Sequence, residues 1–190
     1  MHGDLEQRDR DQTLLRFANK SASILVATDV AARGLDIESL DLVINYHIAR
    51  DSEVHVHRIG RTGRAGSQGL AYSLFSDKEG YKVGLLEDYL EAVITPELLP
   101  SADALSKVRP QAKMATIQID GGKKQKVRPG DILGALTGDN GVQGNQVGKI
   151  NVLDNKAYVA VTKAALKLAM RKLDKGKLKG RSFKIRHLTV

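Results

Sequence analysis

Short apolar runs recur through the first half of the chain and predict the strands of a buried sheet. They cover residues 24–27, 42–46 and 70–75. Apolar runs without alternation are typical of strands covered on both faces, as in a parallel sheet. Helical spacing of apolar residues precedes the first run, over residues 5–19. The pattern therefore predicts an α/β domain over residues 1–95.

Two further helix starts in this half have recognisable caps. Ser52 is placed to cap a short helix that contains His55, His57 and Arg58. Ser76 and Glu79 have the spacing of a capping box, which predicts a helix from there to about residue 93. Its apolar side is expected to be core and consists of Leu85, Leu86, Tyr89, Leu90 and Val93.

The second half of the chain has a different pattern. Residues 115–120 alternate, with Ile117 and Ile119 on one side, and Pro129 marks a helix start. Two strands over 147–153 and 157–161, a helix after Thr162 and a strand over 183–188 follow. This order, βαββαβ, predicts a small α+β domain over residues 114–190. Residues 96–113 hold three of the four prolines and no sustained period, which indicates a linker.

Charge separates the same two halves. Residues 1–106 contain 11 Lys and Arg against 17 Asp and Glu, whereas residues 107–190 contain 19 against 5. Clustered Lys and Arg attract a polyphosphate by releasing its counterions. The second half is therefore a candidate nucleic-acid binder, and a solvated lysine-rich surface remains the alternative.

The composition of the chain excludes several classes of protein. The chain has no Cys, so neither disulfides nor thiolate metal sites are available. No apolar stretch is long enough to span a bilayer, and no secretory leader is recognisable. We expect a soluble cytoplasmic protein with no membrane partner.

The segment His57-Arg58-Ile59-Gly60-Arg61-Thr62-Gly63-Arg64 is a candidate anion site. Its three arginines are spaced by three, and guanidinium groups are almost never buried unpaired. Glycines allow a tight turn and close approach to a ligand, while Arg61 and Arg64 each offer a rigid set of donors to phosphate oxygens. A solvated basic turn is the alternative interpretation.

A second candidate, Ala27-Thr28-Asp29-Val30-Ala31-Ala32-Arg33-Gly34-Leu35-Asp36, follows the first predicted strand. Open α/β sheets bind ligands at the carboxyl ends of their strands. Thr28 and Arg33 are suited to phosphate, and Asp36 is suited to accept a hydrogen bond from a ribose hydroxyl.

Together, ATDVAARGLD and HRIGRTGR resemble the last two signature motifs of the second RecA-like domain of DEAD-box RNA helicases. The resemblance implies a RecA-like parallel sheet, and it implies ATP-dependent RNA helicase activity for the parent protein. Gln7 and Arg10 resemble a further family motif, in which the arginine contacts the RNA backbone.

The resemblance also implies roles for individual residues. Thr28 and Arg33 would contact RNA phosphates, and Asp36 would contact the ATP ribose. His57 would belong to the network that links the ATP and RNA sites. Arg61 and Arg64 would be the fingers that reach the γ-phosphate held by a partner domain.

A metal site at His55 and His57 is rejected. Residues two apart on a helix do not share a face, and the chain has no Cys that could complete a site.

The second half resembles an RNA-recognition motif, and the combination of both halves resembles the DbpA group of DEAD-box proteins. That group implies an anchor on large-subunit ribosomal RNA and a role in ribosome assembly. The usual stacking positions hold Gln118, Tyr158 and Ala160, so one aromatic platform remains. RNA affinity is therefore expected to depend on Lys123, Lys124, Lys126, Lys156 and Tyr158. Tyr158 as an ordinary strand residue remains the alternative.

The chain contains no G-x-x-x-x-G-K-[ST] loop and no Asp-Glu-Ala-Asp run. We therefore expect a fragment with a truncated second RecA-like domain and without the first one. The first domain would be the partner that holds most of the ATP and Mg²⁺, so this chain alone should neither hydrolyse ATP nor unwind RNA. A non-enzymatic RNA anchor is the alternative function.

Overall fold

The computed structural model describes residues 1–29, 40–63, 68–108 and 110–189. The chain divides into two compact units. The first combines Met1–Arg33 with Val108–Val190, and the second is Gly34–Lys107. The expected fold class is confirmed. One unit has a parallel pair of strands, and the other has an antiparallel sheet covered by helices. The domain boundaries given above stay a prediction.

The second unit is built on a parallel pair of strands. Leu42–Asn45 (β1) pairs with Leu70–Ser73 (β2), and Leu42 lies opposite Leu70. Between them runs the helix Ser52–Ile59 (α2). After β2, a 3₁₀ turn at Asp77–Glu79 leads into the helix Gly80–Leu90 (α3).

The caps of this unit are close to those expected. The Ser76–Glu79 capping box is confirmed, with the Ser76 backbone N–H donating to the Glu79 carboxylate at 3.3 Å. The cap of α2 is Asp51 rather than Ser52, because the Asp51 carboxylate accepts from the Glu53 N–H at 2.8 Å. A carboxylate is as good a cap as a hydroxyl, so sequence alone did not separate the two.

Three expectations of burial were wrong. Residues 24–28 form no strand, and Ile24 and Val26 are 68% and 78% exposed. The strand β1 exists, yet Ile44 is 58% exposed.

On α3, Leu86 is buried with Val83 and Ile48, whereas Leu85 and Tyr89 are exposed. An apolar run forms a buried strand only where neighbouring strands and covering helices meet it, and within the described ranges the parallel sheet has two strands.

The helix α3 is also shorter than expected. It ends at Leu90, where Glu91 adopts a left-handed conformation with φ of 51°. Val93 therefore lies beyond the helix and is exposed.

The first unit confirms the βαββαβ order. Its elements are β3 (Met114–Ile119), α4 (Pro129–Thr137), β4 (Val147–Val152), β5 (Ala157–Thr162), α5 (Leu166–Lys175) and β6 (Ile185–Leu188). The strands form one antiparallel sheet in the order β4-β5-β3-β6. One face packs against both helices, around fully buried Ile117, Ile119, Ile132, Leu136 and Ala169.

The N-terminal helix Gln7–Ala18 (α1) belongs to the same unit as this sheet. It matches the helix expected over residues 5–19. The linker region contains one short 3₁₀ turn, Ala102–Ser106. Within the described ranges, no helix is both long and apolar enough to cross a bilayer.

Candidate nucleotide and RNA sites

Residues 60–63, which include Arg61, form a turn where α2 ends. We call this segment the arginine turn. The Gly60 N–H donates to the Val56 carbonyl at 2.8 Å, and the Arg61 N–H donates to the Arg58 carbonyl at 3.2 Å. Gly63 then adopts φ of 63°, a left-handed conformation that favours glycine. The chain thus leaves the helix in a tight turn, as the glycines predict.

This turn is tied to the segment that enters β1. The Leu40 N–H donates to the Arg61 carbonyl at 2.9 Å, and the Thr62 hydroxyl donates to the Leu40 carbonyl. The backbone on both sides of Arg61 is therefore fixed, and the residue is half-buried.

Arg58 supports the end of β1. Its Nη1 donates to the His47 carbonyl at 2.9 Å and lies 3.4 Å from Asn45 Oδ1. Asn45 in turn donates to the Ser73 hydroxyl at 3.0 Å, across the strand pair. Arg58 is thus engaged with backbone and side chain of its own unit.

The two histidines of α2 differ in environment. His57 is exposed, whereas His55 is 6% exposed. Burial, and secondarily the charge of Arg58, lower the pKa of His55. Among the described residues, no group of three potential metal ligands lies together.

Three of the predicted site residues, Arg33, Asp36 and Arg64, lie outside the described residues. Arg10 and Thr28 belong to the first unit, and His57 and Arg61 to the second. Thr28 is exposed, and its N–H donates to the Met1 carbonyl at 3.1 Å. Arg10 is half-buried and donates to the Gly3 carbonyl.

The lysine-rich loop after β3 is locked against the turn between β4 and β5. The Lys123 N–H donates to the Leu153 carbonyl at 2.8 Å, and the Lys124 N–H to the Asp154 carbonyl at 2.9 Å. These bonds place the exposed lysines of one loop beside the turn that carries half-buried Lys156. The structure therefore brings together the two segments that hold four of the predicted RNA-binding lysines: Lys123, Lys124, Lys126 and Lys156.

The second face of the sheet is polar. Strand register sets Asn151, Tyr158, Gln118 and Arg186 side by side in a row across all four strands. At the end of β3, Asp120 accepts from Gln118 Nε2 at 2.6 Å and from Arg186 Nη2 at 2.9 Å. Burial raises the pKa of Asp120, but the hydrogen bonds from Gln118 and Arg186, together with the charges of Arg186 and Lys156, lower that pKa overall.

This network was not predicted from the sequence. The signal available was Gln118 and Asp120 two residues apart on one strand, which places both on the same face. Arg186 could not be added, because its register against β3 is not readable from spacing alone.

Helix α1 covers this polar face. The Ser21 and Thr116 hydroxyl oxygens are 2.7 Å apart, and Asn19 Nδ2 lies 3.4 Å from Thr116 Oγ1. Tyr158 is 5% exposed, and Arg8, Asp11 and Gln12 of α1 lie close enough to affect its phenol. Burial raises the pKa of the Tyr158 phenol. The sequence suggested an exposed stacking platform, whereas the structure has this ring beneath a helix; its role in RNA binding stays a prediction.

Comparisons with known proteins give a family match in each half of the chain. Residues 1–66 match the family model for the helicase conserved C-terminal domain, and residues 116–187 match the DbpA RNA binding domain. The structure is similar to that of the Escherichia coli DEAD-box protein SrmB bound to regulator of ribonuclease activity A. That similarity has a TM-score of 0.50 and 34% identity, and it covers 58% of this chain and 65% of that one.

Two curated relatives match almost all of this chain. It is 54% identical to the ATP-dependent RNA helicase DbpA of Escherichia coli (strain K12), over 99% of this chain and 41% of the relative. It is 32% identical to the protein of the same name in Bacillus subtilis (strain 168), over 97% of this chain and 43% of the relative. The chain thus spans less than half the length of the curated relatives it matches.

A helicase C-terminal domain followed by a dedicated RNA-binding domain defines the class: the C-terminal part of a DEAD-box protein. Within that class, the chain belongs to the DbpA group.

Proposed function

We propose that this chain is the C-terminal part of an ATP-dependent RNA helicase. The observation that carries the proposal is the turn after α2, where backbone hydrogen bonds on both sides of Arg61 fix it in a segment with the family's spacing. In the parent protein, ATP and Mg²⁺ are held mainly by the first RecA-like domain, and Asp36 contacts the ATP ribose.

Arg61 and Arg64 act on the transferring phosphoryl group, and His57 links that site to the RNA. Charge spreads over the phosphoryl oxygens in the transition state, and a positioned guanidinium stabilises it. Such an arginine is worth roughly 10³ to 10⁵ in rate in other phosphoryl-transfer enzymes. Arg10, Thr28 and Arg33 contact the RNA backbone.

The experiment combines this chain with a separately produced first RecA-like domain and measures RNA-stimulated ATP turnover. Arg61→Ala is expected to reduce turnover about a thousandfold. Arg50→Ala, which removes an exposed arginine just before α2, serves as the matched control and should leave turnover unchanged. Normal turnover in Arg61→Ala would remove the finger assignment.

The RNA partner we propose is a hairpin of large-subunit ribosomal RNA, bound in the cytoplasm during ribosome assembly. The proposal is supported by the match of residues 116–187 to the DbpA RNA binding domain and by the basic loops described above. Affinity should rest on Lys123, Lys124, Lys126 and Lys156 reaching phosphates, with Tyr158 contributing only when α1 leaves the sheet.

Binding to a hairpin from the peptidyl-transferase region, compared with a scrambled hairpin across several salt concentrations, tests this substrate. A preference for the native hairpin that survives high salt supports a specific RNA address. Equal binding that weakens steeply with salt would reduce the first unit to a nonspecific basic tether.

A further inference from the structure

The outer side of α5 carries a row of cations. Lys163 lies in the 3₁₀ turn that precedes the helix, and Lys167, Arg171 and Lys175 follow at intervals of four residues. All four are exposed. Intervals of four residues place them on one face, about 6 Å apart along the helix axis. We call these four residues the α5 stripe.

Helix stability does not account for this row. Like charges four residues apart destabilise a helix by about 0.2–0.5 kcal/mol per pair. Cations at the start of a helix also oppose its dipole, and the first turn of α5 contains Lys167 and no acidic residue. Among the described residues, none makes an ion pair or side-chain hydrogen bond with Lys163, Lys167 or Arg171. The charges are therefore available for an external partner.

Next to the stripe lies an open groove between α5 and the edge strand β6. It is lined by Leu166, Lys167, Met170, Arg171, Asp174 and His187. His187 is opposite Ile117 in the strand register, so it lies on the helix-covered side of the sheet. The groove is thus lined by two apolar side chains, two cations, one imidazole and one carboxylate.

The polar face of the sheet is closed at the same time by α1, since Thr116, Gln118 and Tyr158 are all buried. The surface of this unit that is accessible to an RNA therefore includes the α5 stripe and the lysine loops, which are the loop after β3 and the turn between β4 and β5. It does not include the polar face of the sheet. Lys163 follows the end of β5, whereas Lys156 precedes its start. A strand of six residues is about 20 Å long, so an RNA that contacts both regions has to extend along the unit.

We propose that the groove between α5 and β6 binds the sugar-phosphate backbone of a structured RNA. Lys163, Lys167 and Arg171 pair with consecutive phosphates, and Leu166, Met170 and His187 contact the sugar and base edge beside them. The inference rests on the RNA-binding function proposed above and adds a second contact surface to the lysine loops. Charge complementarity favours RNA as the occupant over an acidic protein, because the row of evenly spaced cations matches a regular polyanion.

The test is RNA binding by the full chain as a function of salt concentration, with a hairpin RNA as the probe. The triple variant Lys163→Ala, Lys167→Ala, Arg171→Ala is expected to bind at least tenfold more weakly. The slope of log K against log salt should fall by about 2 to 3, because each lost phosphate contact removes roughly 0.7 to 0.9. The matched control Lys78→Ala, Lys107→Ala, Lys149→Ala removes the same charge from exposed positions elsewhere and should keep the wild-type slope.

A second measurement uses the unmodified chain, so it does not depend on the folding of a variant. Acetylation of lysines is followed by mass spectrometry with and without the hairpin. Lys163 and Lys167 should be protected severalfold by RNA, whereas Lys78 should react equally in both samples.

The outcomes separate the two proposals. If the wild-type chain fails to bind RNA, the proposed RNA function fails. If the wild-type chain binds but the triple variant has the same affinity and slope, with no protection of Lys163 and Lys167, the groove proposal is overturned and RNA binding by the lysine loops stands. Protection by an acidic protein but not by RNA would also overturn it.

Discussion

At the scale of single residues, Gly122 holds the two lysine-bearing segments together. A Cβ added there would lie 2.1 Å from the Leu153 carbonyl oxygen and 2.7 Å from the Lys156 backbone nitrogen. Both are backbone atoms, so no side chain can move aside to make room. The close approach is what lets the loop after β3 bond to the turn after β4.

Gly122→Ala should therefore destabilise the first unit by about 1–3 kcal/mol, as overpacking of a close contact does. Urea denaturation followed by circular dichroism measures the loss. Gly130→Ala is the control: no atom lies within 4 Å of its added Cβ, and it sits in the first turn of α4. It should be neutral or stabilising, because alanine favours a helix over glycine by about 1 kcal/mol. Equal stability of Gly122→Ala and wild type would contradict the account of this loop.

Asp120 gives the sheet a defined dependence on pH. Its pKa is lowered in the folded state, so the carboxylate contributes stability above its unfolded pKa and loses that contribution as pH falls through the folded value. The wild type should therefore lose more stability than Asp120→Asn as pH falls from about 5 to below 3, a window set by the ordinary Asp pKa of about 3.9.

The measurement is the urea midpoint of both proteins at several pH values. Asp154→Asn makes the same chemical change at an exposed turn and should retain the wild-type pH profile. Parallel profiles for wild type and Asp120→Asn would show that the contacts with Gln118 and Arg186 do not stabilise the carboxylate.

At the scale of elements, the helix α1 covers the face of the antiparallel sheet that α4 and α5 do not cover. Thr116 is fully buried and meets the Ser21 hydroxyl and the Asn19 amide. A buried hydroxyl that loses its partners costs about 1–3 kcal/mol. These contacts are therefore expected to hold the C-terminal end of α1 on the sheet.

The double variant Asn19→Ala, Ser21→Ala should release α1. Hydrogen exchange of the α1 amides is expected to become about tenfold faster, and Tyr158 should become more accessible. Ser106→Ala removes an exposed hydroxyl in the linker and should leave both measurements unchanged. Unaltered exchange in the double variant would mean that other contacts hold the helix.

The elements of the first unit were predictable because their periods are unambiguous. Alternation marks β3, and the apolar spacing of Ile132, Leu136, Ala169 and Leu173 marks the two covering helices. The position of α1 was not predictable, since its contacts with the sheet are polar and separated by about a hundred residues. The strand predicted over residues 24–27 was wrong for the opposite reason. The sequence shows that these residues are apolar, but it does not show that they lack strands to pair with.

At the scale of the whole molecule, the acidic and basic halves of the chain carry different candidate sites. The acidic first half carries the turn with Arg61 at the end of α2, and the role of that turn stays a prediction. The basic second half carries the lysine loops and the α5 stripe. The groove beside His187 could not be predicted, because it depends on the register of β6 and on the packing of α5.

The central proposal is that this chain is the C-terminal part of an RNA-dependent ATPase. The most direct measurement is ATP turnover by a first RecA-like domain alone, with this chain added, and with this chain plus a structured RNA hairpin. We expect appreciable turnover only when all three components are present, because the arginine turn and the RNA contacts complete the site. Equal turnover with and without this chain would contradict the account.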